Sequence, residues 1–512
     1  MTFLEALKTE DNKTTGWNGA NGFKSTLNAN LDLFGKIGTL RFADDKEILR
    51  LFKEAYQEDS ILAIKNLFYI RDIKEGSGER RIFDIITTVL AKEEPETFKE
   101  IVRFIPHYGS YSDLRRLIGN SELTDEQVNP AVKLFAYSLT SDLKLHRAGL
   151  EEISLAAKWA PSVGSKNPVH KLGIKRLTKQ LDVSEKVYRI TVSTLRKHLN
   201  LVECKLTEKR TNEIEYDKIP SQAFRKYTQA FYRNDEDRFT SFLDAVNSGE
   251  KTVNAGTIQT HQLVSDYIGS GWRWYYNAQQ EVKPEVEAQW KNLPKLNNTS
   301  PNTLCVVDTS GSMIGTPMEV AVSLGIYLSE QTTGDFKDHF ITFSEEPELL
   351  NLTGLTTLKD KVAKVMNTDW GMDTNLESVF DLVLNAAVKN NTPQEELPEF
   401  IFVLSDMQMN KGTIHNTDNS FFENIKNNFA EKGYKMPFLV WWNISEDYSG
   451  AMPVTEVEEN TALVSGFSQT LFNTFFNLDL DNLENFTPLS IMLDILNSDR
   501  YAMIEDVLTN KK

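Results

Sequence analysis

The stretch VVDTSGSMIG, residues 306–315, places acidic and hydroxyl side chains at a spacing of two directly after an apolar run. Its oxygen-bearing residues at that spacing are Asp308, Ser310 and Ser312. A carboxylate and two hydroxyls are hard oxygen donors, which are the ligands that Mg²⁺ prefers in proteins. The same pattern also describes a polar turn that ends a strand. Metal binding therefore requires that other segments bring further oxygen donors to the same place.

Two later segments offer such donors. In WGMDTNLESVF, Thr374 directly precedes a helical pattern, and in FIFVLSDMQM, Asp406 ends an apolar strand. The carboxyl ends of parallel strands meet at one edge of a sheet, so these side chains are expected to converge there. The set contains no Cys or His, which favours Mg²⁺ (or Mn²⁺) over zinc. Two carboxylates with neutral hydroxyls also leave a coordination position for an outside acidic oxygen. The predicted metal ligands are Asp308, Ser310, Ser312, Thr374 and Asp406, with Asp373 as an additional carboxylate beside them.

The elements that must position these residues follow from hydrophobic periodicity. From residue 303 short apolar runs alternate with amphipathic helices, which predicts a parallel sheet with helices on both faces in a doubly wound, Rossmann-like α/β domain. Residues 46–268 follow the helical period throughout, with a capping box at Thr124 and Gln127. Such a succession predicts HEAT-like stacked helical pairs, and a single large bundle is the alternative. The predicted division is an irregular lead-in at 1–45, a helical module at 46–268, a linker at 269–302, the α/β domain at 303–480, and C-terminal helices packing back at 481–512.

Charge is distributed unevenly between these parts. The chain of 512 residues has a net charge of −17, and its length implies two or more domains. Residues 1–300 carry 44 basic and 41 acidic side chains, whereas residues 301–512 carry 12 and 32. Within the first part, residues 144–210 hold 15 basic and 6 acidic side chains. An anionic partner would therefore be attracted to that region and repelled by the C-terminal part.

Several classes of protein are disfavoured by what the sequence lacks. Two cysteines do not make a disulfide framework or a Cys-based zinc site. No apolar run is long enough for a membrane span, and no secretory signal pattern is present, so we expect a cytoplasmic protein. We also expect it to be a monomer. The dispersed His residues form no HExxH pair, and no nucleophile elbow appears. We therefore expect a protein that is not an enzyme.

The metal-site motifs carry a resemblance to a known family. Residues 303–480 resemble a von Willebrand factor type A domain, because Asp308-x-Ser310-x-Ser312, Thr374 and Asp406 match its metal-ion-dependent adhesion site one by one. The resemblance implies Mg²⁺ held partly through water, with an open position for a partner's carboxylate. Two positions depart from the pattern: Met407 stands where the family has Gly, and Asp373 adds a carboxylate.

The helical module extends the resemblance. Helical repeats followed by this domain resemble the Ro (TROVE-module) RNA-binding proteins. The segments RDIKEGSGERRIF, LAAKWAPSVGSKN and IPSQAFRKYTQAFYRNDEDRFTSFLDAV are similar to uncharacterised relatives of Ro that are described as a domain of unknown function. The resemblance implies that the module binds structured RNA with single-stranded ends, in a ring-shaped module in the Ro proteins themselves.

The basic region supplies the candidate RNA contacts, although scattered Lys and Arg also describe an ordinary solvated helix face. The candidates are Lys166, His170, Lys171, Lys175, Arg176, Lys179, Arg189, Arg196 and Lys197. The segment EGSGERR, residues 75–81, could hold a phosphate through backbone N–H groups, but we favour a tight interhelical turn there.

Two functional hypotheses follow. In the first, a Ro-like protein binds RNA through the helical module and recruits a protein partner through the Mg²⁺ domain. In the second, the chain is an adaptor or an AAA+-chaperone co-factor whose metal site captures an acidic side chain and which binds no RNA. A metal-dependent nuclease is a weaker third option, because one ion held mainly by hydroxyls with no base nearby is a poor catalytic site.

Overall fold

The computed structural model describes residues 3–16, 19–268, 281–296, 302–343, 346–368, 375–409, 420–445, 450–478 and 480–509. The chain forms two compact units that are interleaved in sequence. The sheet unit comprises residues 1–62 and 258–498, and the helical unit comprises residues 63–257 and 499–512. The predicted combination of a helix-rich N-terminal region with a C-terminal α/β part is confirmed. None of the described helices has the length and apolar character needed to cross a membrane.

All the described strands lie in the sheet unit. They are β1 Lys13–Thr15, β2 Asn21–Phe23, β3 Thr303–Asp308, β4 His339–Phe343, β5 Glu348–Asn351, β6 Phe400–Ser405, β7 Phe438–Asn443 and β8 Thr461–Ser465. Strands β1 and β2 form an antiparallel hairpin, and the other six form one sheet in the order β5-β4-β3-β6-β7-β8. Only β5 runs antiparallel in that sheet, which is therefore mixed and not wholly parallel.

The described helices are numbered in chain order through both units. They are α1 Phe3–Asn12, α2 Ala29–Gly35, α3 Asp45–Glu58, α4 Ser60–Arg71, α5 Arg81–Glu93, α6 Pro95–Ile101, α7 Ile105–Tyr108, α8 Tyr111–Ile118, α9 Asp125–Arg147, α10 Ala156–Trp159, α11 Pro168–Leu181, α12 Glu185–His198, α13 Val202–Thr207, α14 Ser221–Asn247, α15 Thr260–Val264, α16 Pro284–Lys291, α17 Thr316–Gln331, α18 Leu358–Met366, α19 Leu376–Asn390, α20 Phe421–Glu431, α21 Phe472–Phe476, α22 Pro488–Leu496 and α23 Asp499–Thr509.

Helices cover both faces of the six-stranded sheet. Every residue of β3 and of β6 is buried, as expected for strands with helices on each side. Val306 belongs to a core that includes Phe380 of α19 and Phe422 of α20. The adjacent Val307 points to the other face, where a Cβ on Gly325 of α17 would lie 2.6 Å from its Cγ2 atom. Glycine at 325 therefore lets α17 lie close against β3.

The lead-in at residues 1–45 is ordered where it is described, which corrects the expectation of an irregular segment. It contains α1, the β1–β2 hairpin and α2. The backbone of Phe23 exchanges two hydrogen bonds with Met452, at 2.9 and 2.8 Å. A Cβ at Gly22 would lie 2.7 Å from the Met452 carbonyl oxygen, so glycine is needed for this approach. The Asn- and Gly-rich composition thus reflects close backbone packing within the sheet unit.

The predicted linker at 269–302 contains a helix in its described part. Glu287 of α16 accepts hydrogen bonds from the N–H groups of Leu358 and Lys359 at 2.8 and 3.2 Å, which satisfies the first turn of α18. The Tyr267 hydroxyl donates to the same carboxylate at 2.8 Å. This segment is therefore packed into the sheet unit, at least over residues 284–291.

The C-terminal helix α23 completes the helical unit through a buried ion pair. Arg500 donates to the fully buried Asp72 from Nε at 2.6 Å and from Nη2 at 2.8 Å. The Tyr501 hydroxyl donates to the same carboxylate at 3.1 Å. The two C-terminal helices thus belong to different units, since α22 lies in the sheet unit and α23 in the helical unit.

We predict that Arg500→Ala lowers the free energy of unfolding of the helical unit by about 3 kcal/mol, because it leaves the buried Asp72 carboxylate without its cation. Urea denaturation of the full chain, followed by far-ultraviolet circular dichroism, measures the change. Met503→Ala on the same helix is the control, since Met503 is partly exposed and its truncation is expected to cost about 0.5 kcal/mol or less. Equal effects of the two substitutions would contradict the assignment.

Candidate functional site

Asp308 lies at the carboxyl end of β3, where its carboxylate is fully buried. Its Oδ1 atom accepts a hydrogen bond from the Ser310 N–H at 2.9 Å, which closes a turn of the Asx type. The following residue, Thr309, donates from its N–H and its hydroxyl to the Phe343 carbonyl at the end of β4. The loop that carries the predicted ligands is therefore fixed by the neighbouring strands.

Asp406 follows β6 directly, and β6 is the neighbour of β3 in the sheet. The parallel register pairs Val307 with Leu404, so the residues after this pair leave the sheet at the same level. One Asp406 carboxylate oxygen accepts from the Gln408 N–H at 3.0 Å, which repeats the turn seen at Asp308. The side chain is 3% exposed. Strand order alone thus brings the two predicted carboxylates to one edge.

The electrostatic environment of these carboxylates is unfavourable without a cation. Burial, followed by the negative charge of Asp406, raises the pKa of Asp308 to about 7. Among the described residues no Lys or Arg side chain contacts the Asp308 carboxylate. A buried carboxylate without a positive partner is costly, so the arrangement stabilises either a proton or a metal ion at this place.

The two serines of the motif provide neutral oxygen donors beside the carboxylates. Ser310 is buried and Ser312 is exposed, and their hydroxyl oxygens lie 3.2 Å apart. This separation is that of two oxygens that share a hydrogen bond, and it also allows both to face one cation. Asp308 and Asp406 thus end adjacent strands at one edge of the sheet, and Ser310 and Ser312 follow Asp308 on the same loop. That these four residues hold a metal ion stays a prediction.

Ser405 is a member of the site that the sequence analysis missed. Its hydroxyl donates to the Asp308 Oδ2 atom at 2.6 Å and accepts from the Met407 N–H at 3.1 Å. It therefore fixes the orientation of Asp308 from the neighbouring strand and positions the loop after β6. The sequence does show a hydroxyl residue directly before Asp406, at the end of an otherwise apolar strand, and this could have indicated Ser405.

Met407 adopts the left-handed backbone conformation, with a φ of 63°. This conformation favours glycine, so a methionine at this position carries backbone strain. Its side chain is buried in the sheet-unit core together with Met409. The burial of the Met407 side chain offsets the backbone strain at this position.

The remaining predicted ligands, Thr374 and Asp373, lie outside the described residues. Within the described ranges no group of three or more His, Cys, Asp or Glu side chains is arranged to hold a metal ion. Cation binding at this edge would therefore depend on hydroxyl and water oxygens besides Asp308 and Asp406. Mg²⁺ accepts such a set, because it retains several water ligands, whereas zinc favours N and S ligands.

The candidate RNA-binding residues of the helical unit fall into two groups. Lys171, Lys175 and Lys179 are exposed and recur every four residues along one face of α11. The other exposed residues are Lys166 before α11, and Arg189 and Lys197 on α12. His170 is half-buried, and burial together with the charges of Arg115 and Arg196 lowers its pKa.

Arg176 and Arg196 differ from this surface group because their guanidinium groups are used inside the unit. Arg176 is 7% exposed and donates to the carbonyl oxygens of Ile118, Asn120 and Leu123 at 3.0, 3.0 and 2.6 Å. Arg196 donates to the carbonyls of Ala157 and Ala160 at 2.9 and 2.6 Å. Both guanidinium groups bind backbone carbonyls inside the unit and do not belong to its exposed basic surface.

Comparison with known proteins identifies two domain models and one relative. Residues 302–494 match a domain of unknown function (DUF7788), and residues 16–106 and 166–297 match another domain of unknown function (DUF2828). The chain is also 31% identical over 511 residues to the "Uncharacterized protein L728" of Acanthamoeba polyphaga mimivirus. This similarity covers 94% of the chain and 86% of the viral protein.

These matches correct the family assignment made from the sequence. Neither a von Willebrand factor type A model nor a Ro (TROVE) model matches, and the DUF2828 family is distinct from Ro. The assignment to these families was therefore wrong. The motif Asp308-x-Ser310-x-Ser312 with Asp406 can arise wherever a parallel sheet places polar loops at its carboxyl edge, so such a set alone does not define a family.

We predict that Arg176→Met lowers the free energy of unfolding by about 3 kcal/mol, since it leaves three carbonyl groups, at the end of α8 and in the loop that follows, without their donor. Lys175→Met, one residue away and exposed, is the control and is expected to change stability by about 0.5 kcal/mol or less. Urea denaturation of both variants provides the comparison. If Lys175→Met cost as much as Arg176→Met, the internal role of Arg176 would be refuted.

Proposed function

This chain belongs to the family of the uncharacterized mimivirus protein, and we propose that its sheet unit binds a divalent cation, Mg²⁺ or Mn²⁺, through which it captures an acidic group of a protein partner. The proposal concerns the carboxyl edge of the sheet, where Asp308 and Asp406 end adjacent strands and Ser310 and Ser312 follow Asp308. The observation that carries it is the pair of buried carboxylates on adjacent strands, of which Asp308 contacts no Lys or Arg among the described residues.

A divalent cation resolves the electrostatic problem that this pair creates. Two negative charges held near one another and out of water repel each other strongly, and a cation between them reverses the sign of that interaction. Both oxygens of Asp308 already accept hydrogen bonds, from Ser310 and Ser405. Asp308 would therefore hold the ion through water or through its remaining lone pairs, while the serine hydroxyls supply neutral ligands.

The neutral character of the serine ligands favours a binding role. An ion with few protein carboxylates keeps net positive charge and attracts another anionic ligand. The exposed Ser312 marks the side from which such a ligand would approach. Residues 301–512 carry 12 basic and 32 acidic side chains, which disfavours nucleic acid as that ligand and favours a single acidic side chain presented by a protein.

A second function, RNA binding by the helical unit, is supported by the lysine face of α11. Lys171, Lys175 and Lys179 project from one side of a 14-residue helix and are all exposed. Lys179 lies 3.8 Å from the Asp125 carboxylate, and such exposed pairs are weak. A line of cations at this spacing suits a phosphate backbone.

We also propose that the helices stack in HEAT-like pairs and that the sheet domain is wound as in Rossmann-like folds.

We predict that Mg²⁺ stabilises the sheet unit and that Asp308→Asn removes this effect while making the metal-free protein more stable. At free Mg²⁺ about 100 times the dissociation constant, the gain in stability should be about 2.7 kcal/mol. The substitution preserves the shape of the side chain and removes its repulsion with Asp406. Thermal unfolding with and without Mg²⁺, and Mn²⁺ titration by electron paramagnetic resonance, measure both effects.

Asp335→Asn is the control for this experiment, because Asp335 is exposed and lies outside the site. It should leave the response to Mg²⁺ unchanged. Partner capture is tested next, by recovering proteins from the native cell with the wild type and with Asp308→Asn, in Mg²⁺ and in a chelator. The adaptor proposal would be wrong if metal binding is intact but every recovered protein is retained in the chelator.

For RNA, we predict that the triple substitution of Lys171, Lys175 and Lys179 by Gln weakens binding and its salt dependence together. With single-stranded RNA each lost phosphate contact should reduce the slope of log K against log salt by about 0.7, so the triple variant should lose about 2 units. Lys74→Gln with Lys99→Gln, both exposed on other segments, is the control. An unchanged slope in the triple variant would exclude this face as the RNA contact.

A further inference from the structure

A charged network joins α4, α5 and α8 in the helical unit. Arg116 of α8 donates to Asp84 of α5 from Nε at 2.5 Å and from Nη2 at 3.1 Å, and it also pairs with Asp113. Arg71 at the end of α4 donates to the Asp113 Oδ2 atom at 3.0 Å. Arg71 and Arg116 therefore use the two carboxylates of the network.

Two further arginines of this network have no carboxylate of their own. Arg80, one turn before Asp84, has a guanidinium without a hydrogen-bond or ion-pair partner in the part of the chain that the structure describes. Among the described residues, the Arg115 guanidinium donates to the Ser112 hydroxyl alone, at 3.3 Å, and lies 5.6 Å from the centre of the Trp159 ring. Both side chains remain available to an incoming anion.

Burial and the excess of positive charge lower the pKa of two arginines of the network. Partial desolvation, and then the charges of Arg116 and Arg71, lower the pKa of Arg80. Desolvation, and then the charges of Arg116 and Arg80, lower the pKa of Arg115. The four guanidinium groups outnumber the two carboxylates with which they pair, Asp84 and Asp113, and a phosphate would offset this excess of positive charge. Arginine also matches phosphate oxygens geometrically through its fork of N–H donors.

The loop before α5, residues 75–80, does not offer the N–H groups of Ser77 and Glu79 to a phosphate. The N–H groups of Ser77 and Glu79 donate to the carbonyls of Tyr69 and Ile70 at 3.1 and 2.7 Å. A Cβ on Gly76 would lie 2.1 Å from the Tyr69 carbonyl oxygen, so the loop folds tightly against α4. An anion here would therefore be bound by arginine side chains.

A cavity of about 520 Å³ opens beside Arg116 and is lined by Arg116, by its partner Asp84 and by Thr88. Asp84 and Thr88 follow Arg80 at intervals of one turn along α5. Its apolar wall is formed by Leu117, Val169 and Leu172, and Asn120 and Ser121 add polar groups. This volume, and the combination of an apolar wall with few polar groups, is typical of sites for small organic ligands. The cavity and the arginine network together describe a site for a molecule with an anionic end and a ring.

We propose that the helical unit binds a small phosphate ester of the nucleotide class, with its phosphate at Arg80, Arg115 and Arg116 and its ring system in the adjacent cavity. The proposal is independent of the cation site in the sheet unit and of the lysine face of α11. The arginine network accounts for the negative charge of the proposed ligand, and the apolar wall of the cavity accounts for its ring.

Isothermal titration calorimetry of the full chain tests this, with AMP, inorganic phosphate and adenosine as probes at ionic strength matched with sodium chloride. AMP should bind more tightly than phosphate, and adenosine more weakly than both. The double variant Arg80→Gln/Arg115→Gln should weaken AMP and phosphate binding at least tenfold. Because it relieves repulsion and breaks no ion pair, its unliganded thermal stability should equal or exceed that of the wild type.

Arg103→Gln is the matched control, since Arg103 is exposed and its carboxylate partner is Glu100. It should bind all probes as the wild type does. Ser121→Trp, at the exposed edge of the cavity, should abolish the preference for AMP over phosphate and leave phosphate binding intact.

Three results would overturn the proposal. The first is no heat from AMP or phosphate beyond that of chloride, and the second is unchanged binding in the double variant. The third is binding of an RNA oligonucleotide that needs Arg80 and Arg115 while AMP and phosphate fail to bind, which would assign these arginines to a polymer-binding surface. Equal loss of AMP and phosphate binding in Ser121→Trp would refute the placement of the ring.

Discussion

The pairing of β3 with β6 holds two acidic side chains out of water at one edge of the sheet, and the chemistry of the sheet unit depends on that constraint. Parallel register makes the two strands end together, so Asp308 and Asp406 cannot separate without disturbing the centre of the sheet. Ser405 and Ser310 fix the Asp308 carboxylate with hydrogen bonds, but they add no positive charge. Hydrogen bonds satisfy the oxygens, whereas only a proton or a cation removes the repulsion.

The helical unit contains an excess of positive charge instead, on two arginine side chains, Arg80 and Arg115, that are less buried than the two aspartates at the sheet edge. The arginines of this unit are of two kinds, which differ in the hydrogen bonds that their guanidinium groups make. Arg176 and Arg500 each direct several donors to buried acceptors, so substituting them is expected to affect stability. Arg80 and Arg115 contribute charge without comparable partners, so their substitution is expected to affect binding instead. The same residue type is therefore structural or ligand-directed according to what its guanidinium contacts.

The sequence predicted the elements better than it predicted the side-chain roles. Alternating apolar runs located β3 and β6, and the capping box at Thr124 and Gln127 is present as expected. Local patterns were sufficient in these cases because they depend on neighbouring residues. The order of the lead-in was missed because its hairpin is held by Met452, more than 400 positions away. The burial of Arg176 was missed for the same reason, since basic composition does not reveal which guanidinium lies beneath a loop.

The interleaving of the two units limits how the chain can be divided. The sheet unit takes its first 62 residues from the N-terminus, and the helical unit takes its last helix from the C-terminus. A fragment that begins at residue 303 would lack the backbone bonds between Phe23 and Met452 and the bond from the Gly38 N–H to the Ser465 hydroxyl at 2.8 Å. A fragment that ends before α23 would leave Asp72 buried without Arg500. Each unit therefore depends on residues from the opposite end of the sequence, so cation binding and phosphate binding are properties to measure in the full chain.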